Sequence, residues 1–197
     1  MKIKKATFLI ITLVLVTSLG LWIFKKINFN LNYETGQHID SLNNVIVYYN
    51  GDVNNVADRN LTDDGYNLGL KYQCVEFVKR YYYEHLNHKM PDSYGHAKDF
   101  FDQGLSDGQK NLSRALVQYS NPGRTQPKVN DLLVFSETAF NKYGHVAIIS
   151  NVTDKEIEII QQNPGPFGRS RETFNIENSN GEWKVNSDRI LGWLRKE

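Results

Sequence analysis

Cys74 is the only cysteine in the 197 residues and so the only thiol nucleophile available. Hydrolysis of an amide by a thiol needs two more groups. A base must take the thiol proton and return it to the leaving amine, and a third side chain must hold that base. Five histidines are present. His38 lies in a polar stretch, and His96 follows Gly95 in a loop. His85 and His88 come late on or just after the segment that carries Cys74, about three helical turns from it. As a metal pair they lack third and fourth ligands at a suitable spacing. His145 follows Gly144 and opens the apolar run His145–Ser150. A plainer reading stands beside the chemical one. A lone cysteine often packs as a small core hydrophobe, and a histidine can simply end a strand.

The elements that carry these residues follow from periodicity. At helical spacing Cys74, Phe77, Val78, Tyr81, Tyr82 and His85 share one face, an amphipathic helix. Gly65 and Gly69 precede it, so the helix is expected to start near Gln73 and to place Cys74 in its first turn. Free backbone N–H groups there favour a thiolate. A second helical patch holds Ala97, Phe100 and Phe101, with Asp92 or Ser93 as its cap. Residues 112–119 fit strand or helix. Val45–Tyr49 reads as a short strand closed by Asn50-Gly51. The second half reads as antiparallel sheet, with strands over 131–135, 145–150, 156–161, 174–176, 183–185 and 190–193. A hairpin at Thr153-Asp154-Lys155 brings His145 back beside Gln161–Asn163. Helices before a sheet predict an α+β fold.

Composition bounds the rest. The chain is 40% hydrophobic and 23% charged, which predicts a packed core. A net charge of +1 offers no basic stripe for nucleic acid. Ala6–Phe24 is uncharged and long enough for one transmembrane helix, with Lys2, Lys4 and Lys5 before it and Lys25 and Lys26 after. The expected organisation is a signal-anchor over 1–26, a polar spacer over 27–44 and one domain over 45–197. A cleaved signal is the alternative. Either arrangement puts the domain outside the cytoplasm, where an unpaired cysteine points to a reactive thiol.

A set of motifs then occurs in one order: Gly65-Tyr66, Tyr72-Gln73-Cys74-Val75-Glu76-Phe77, Asn130-Asp131-Leu132-Leu133-Val134-Phe135, Gly144-His145-Val146-Ala147-Ile148-Ile149, Gln161-Gln162-Asn163 and Ile190-Leu191-Gly192-Trp193. Together they resemble the CHAP family of cysteine, histidine-dependent amidohydrolases and peptidases. Within it they resemble the amidase domain of glutathionylspermidine synthetase/amidase. The resemblance spans roughly residues 45–195. It implies a papain-like α+β fold with N-terminal helices on an antiparallel sheet. It implies Cys74 as nucleophile, His145 as base and Gln73 as an oxyanion donor. Gln161 stands where that amidase carries Glu, so the third member here is neutral, and Asn163 is the reserve candidate for that role or a substrate contact. Lys79 stands where the family has Arg near the site. Asn130 replaces a glycine, and the synthetase half is absent.

The expected activity is a cysteine amidase or endopeptidase with no metal or organic cofactor. Its expected partners are a peptide amide, of cell-wall peptidoglycan in the first place, and a membrane through Ala6–Phe24. A glutathionylspermidine-type amide and a non-catalytic binding module are the alternatives.

Overall fold

The computed structural model describes residues 2–24, 28 and 30–197, with side chains described within 2–24 only at 5 and 7–20. Helix α1 runs Lys2–Phe24. Its described apolar side chains, among them Phe8, Leu9 and Leu13, are exposed. Two small antiparallel hairpins follow, β1 (His38–Leu42) with β2 (Val45–Tyr48) and β3 (Arg59–Leu61) with β4 (Asn67–Leu70). Helix α2 (Cys74–Glu84) comes next, then a single 3-10 turn at Ala97–Phe100.

The remaining strands are β5 (Gln109–Asn111), β6 (Leu116–Ser120), β7 (Leu132–Phe135), β8 (His145–Val152), β9 (Glu156–Ile160), β10 (Arg171–Ser179), β11 (Glu182–Val185) and β12 (Ile190–Arg195). They form one eight-stranded sheet in the order β11-β10-β9-β8-β7-β12-β6-β5, antiparallel throughout. Period-two alternation divides its side chains between two cores. Leu132, Val134, Val146 and Ile148 face α2 and pack on Phe77, Val78, Tyr81 and Tyr82. Leu133, Phe135, Ala147 and Ile149 face the other way, onto Ile157, Ile159 and Trp193. A bridge between Gly123 and Trp183 ties the β11 end of the sheet to the segment after β6, so the sheet curls round this second core.

The expected fold class requires correction on three points. The domain is mostly β rather than a layer of N-terminal helices on a sheet. The patch at Ala97–Phe101 makes only the 3-10 turn, opened by a His96–Asp99 capping box and ended where Phe101 turns extended. Residues 116–120 resolve as strand β6. The expected order of helices before strands also fails, since β1 to β4 precede α2. The expected transmembrane helix is not sustained either. Among the described residues no helix is long and apolar enough to cross a membrane. Side chains at Ala6 and Leu21–Phe24, counted toward that span, lie outside the described residues, as do Lys25 and Lys26. The stretch 27–44, expected as a spacer, carries β1 at its end. Asp40 there joins the domain body through Arg171, at 3.0 Å, and Ser170, at 2.7 Å.

Candidate active site

Helix α2 begins at Cys74, with Gln73 as its N-cap residue in extended conformation. The tight entry requires a left-handed backbone at Tyr72, with φ of 66°. Cys74 therefore sits where the first-turn N–H groups have no helical partner. The N–H groups of Cys74 and Val75 face its thiol, and so does that of Val146 on β8. Val146 follows His145, so the nucleophile rests one residue from the base. Gly144 lets the chain arrive there. Its φ is +73°, and a Cβ would stand 2.7 Å from the Phe135 carbonyl oxygen.

His145 Nε2 lies 2.9 Å from Gln161 Oε1. The orientation of that amide is fixed from behind. Gln161 Nε2 donates to the Arg169 carbonyl at 3.0 Å and to Glu172 Oε2 at 3.4 Å. Its oxygen must then face the imidazole, Nε2 must carry the hydrogen, and Nδ1 keeps the lone pair that a base needs.

Burial sets the charge states. It pushes the Cys74 thiol up to about 11, against the lowering effect of the three backbone N–H groups. It pulls the His145 imidazole down to about 4, with the Gln161 bond opposing and Arg189 assisting. Burial thus favours the neutral thiol and the neutral imidazole, against the thiolate that the helix N-terminus favours.

The other expected site residues fall in different places. Asn163 lines the same site but lies past the end of β9 with φ of 56°, so strand alternation does not turn it toward His145. Its Nδ2 donates instead to Gln73 Oε1 at 2.8 Å. Gln73 Nε2 donates to the carbonyls of Asn55, at 2.7 Å, and Val53, at 3.3 Å. An oxyanion would meet the Cys74 and Val75 N–H groups first, and Gln73 only after it lets go of one of those carbonyls. Lys79 does not reach the site. It is 1% exposed, and its Nζ holds the carbonyls of Asn67 and Ser93, which pins the loop leading to His96. His85 accepts from Asn43 Nδ2 at 3.0 Å and His88 binds the Arg114 carbonyl at 2.8 Å, both structural ties.

Sequence reasoning passed over Gln162 and Glu76. Gln162 Nε2 donates to the Gln73 carbonyl and to Glu76 Oε2, both at 2.9 Å, and its Oε1 accepts from the Tyr48 N–H at 2.8 Å. Arg80 and Asn60 complete the shell of Glu76. The signal was present: three amide side chains in a row at Gln161-Gln162-Asn163 are hard to bury unless each has partners.

The cleft has two lobes. One, of about 510 Å³, is lined by Gln73, Cys74, Arg59, Tyr94 and His96 among others. The second, of about 430 Å³, is lined by Phe135, Phe140, Gln161, Glu172 and Arg189 among others. Val53, Asn141, His145 and Asn163 belong to both and mark where the lobes meet.

This nucleophile, base and orienting amide lie within residues 63–163, which match the CHAP domain. The chain belongs to the CHAP family. Two curated proteins of Crithidia fasciculata are similar to it. Trypanothione synthetase is 29% identical over 101 residues, covering 51% of this chain and 16% of that protein. Glutathionylspermidine synthase is 28% identical over 139 residues, covering 64% of this chain and 19% of that protein. The chain matches less than a fifth of the length of either relative. A solved structure, that of Ly7917, is similar with a TM-score of 0.40 and 15% identity, covering 64% of this chain and 53% of that one. Family and geometry together support a cysteine-dependent amidase or hydrolase.

Proposed function

We propose that the chain hydrolyses a secondary amide within a peptide, and that the peptide comes from the cell wall. The observation that carries the reaction is the orientation of His145 by an amide that is itself fixed on its far side. With Nδ1 as base, the Cys74 sulfur attacks the carbonyl carbon as its proton passes to the imidazole. The N–H groups of Cys74 and Val75 receive the oxyanion. The imidazolium returns the proton to the leaving nitrogen, the C–N bond breaks and the acyl group stays on sulfur. Water, deprotonated by His145, then releases the acid and regenerates the thiol. The two-lobed cleft supports a peptide, since it offers room on both sides of the scissile bond. On this reading the domain works outside the cytoplasm.

The name of one relative, glutathionylspermidine synthase, raises a second reading, hydrolysis of a glutathionylspermidine-type amide. One experiment separates them. The full chain is incubated with purified peptidoglycan and, in parallel, with glutathionylspermidine, each beside Cys74→Ala, and new amines and acids are identified by mass spectrometry. Peptides released only by the active chain support the wall reading. Cleavage of glutathionylspermidine alone replaces it with the second.

A further inference from the structure

Asn163 Oδ1 is buried, and among the described residues nothing hydrogen-bonds to it. An amide oxygen left so costs roughly 1–3 kcal/mol, and native structures seldom retain one without a use. Asn163 is 6% exposed and lines both lobes where they meet.

A chain of amides prevents the oxygen from escaping by a flip. Gln73 Nε2 is bound to the carbonyls of Val53 and Asn55, so Gln73 must present Oε1 to Asn163. Asn163 must answer with Nδ2. A flipped Asn163 would set oxygen against oxygen. The acceptor is thus kept free by three successive donor–acceptor choices, the last of which is left to the substrate.

Chemistry says which substrate group stands there. Cys74 lines only the larger of the two lobes, so the acyl group, joined to its sulfur, occupies that lobe. The leaving nitrogen takes its proton from His145, which lines both. The scissile nitrogen therefore crosses the junction, beside Asn163. We infer that Asn163 Oδ1 accepts the N–H of the scissile amide and makes the enzyme selective for secondary amides over esters of the same acid. The bond turns the nitrogen lone pair toward the proton on His145, and it strengthens once the nitrogen has taken that proton. Esters and tertiary amides have no hydrogen to offer and would leave the oxygen unpaired.

This inference depends on the amidase reading above, and the test separates the two. The full chain is assayed on N-acetylglycine p-nitroanilide, which has the N–H, and on the p-nitrophenyl ester of the same acid, which lacks it. Asn163→Gly is the removal variant, because the φ of 56° suits glycine and would strain alanine. The anilide rate is expected to fall roughly ten- to a hundredfold more than the ester rate. Asn163→Asp keeps an acceptor oxygen and loses the donor to Gln73. It is expected to lower both rates and to hold their ratio within about threefold. Equal losses on both substrates in Asn163→Gly would make Asn163 a support for Gln73 alone and overturn the inference, with the amidase intact. A wild-type chain that cleaves neither substrate faster than Cys74→Ala would overturn the amidase reading, and the inference with it.

Discussion

Gln161→Glu tests whether charge or orientation governs the base. The substitution puts a carboxylate where a neutral oxygen now lies 2.9 Å from His145 Nε2. In the wild-type protein the thiol stands at about 11 and the imidazole at about 4. Moving the proton from sulfur to nitrogen works against that gap of about seven pH units, or ~10 kcal/mol. Attraction between the new charges returns ~4 kcal/mol at about 4 Å and an effective dielectric of ~20. The ion pair then lies ~6 kcal/mol above the neutral pair, which favours a protonated resting thiol.

A carboxylate beside an imidazole raises its pKa by roughly 1–3 pH units. The gain here belongs at the lower end. The Arg169 carbonyl and Glu172, which now accept from the amide, would instead face a second acceptor. The expected result is a ~10- to 100-fold faster alkylation of Cys74 by iodoacetamide at pH 7. The acid limb of kcat/KM should also move up from about 4. Alkylation is followed by intact mass against pH, with near-UV circular dichroism as the control for fold. A folded variant whose alkylation rate and acid limb both match wild type would refute the His145–Gln161 assignment.

Three further outcomes follow from buried groups. The His145 imidazole, at about 4 in the folded chain against 6.5 when free, refuses a proton that the unfolded chain binds. Stability should fall as pH drops from 6.5 to about 4, by up to ~3 kcal/mol, and His145→Gln should flatten that slope in urea titrations. Lys79 is lowered from 10.5 to about 8, chiefly by burial. Its unfolded form binds more protons across that window, so wild-type stability should rise between pH 8 and 10.5 and Lys79→Met should lose the rise, read from urea midpoints. Gln162→Ala removes a donor from buried Glu76 and an acceptor from the Tyr48 N–H, and should cost ~2–3 kcal/mol by chemical denaturation.

Much of the site could be read before the fold was known. The face of α2 and the start of β8 follow from plain periodicities, and the β8–β9 hairpin brings His145 to Gln161 as expected. The charge state of Cys74 could not be read the same way. A helix N-terminus is worth roughly 0.3–1 kcal/mol to a thiolate, whereas full burial can shift a pKa by several units. Whether the thiol is buried depends on β8 lying across it, which no local pattern announces. Strand β1 was hidden for a related reason. His38-Ile39-Asp40-Ser41-Leu42 is polar on its own, and its stability comes from pairing with β2 and from Arg171, more than a hundred residues away. The 3-10 turn at Ala97–Phe100 shows the opposite failure, apolar spacing without enough residues to continue a helix.

The polar residues around the thiol follow one rule. Gln73, Gln161, Gln162 and Asn163 are neutral, and each is oriented by a backbone carbonyl, a backbone N–H or another amide. The buried charges next to them, Glu76 and Arg80, neutralise each other at 2.6 Å and are further tied down by Gln162, Asn60 and the Ile46 carbonyl. Among buried groups an unpaired charge would be expensive, whereas a hydrogen-bonded amide holds direction at little cost. An amide also has two different ends, so a row of them transmits orientation. The carbonyls of Val53 and Asn55 turn Gln73, Gln73 turns Asn163, and the Arg169 carbonyl turns Gln161 toward His145. Orientation set by amides leaves imidazole and thiol both neutral at rest. Burial favours that neutral pair until a carbonyl carbon arrives to accept the sulfur.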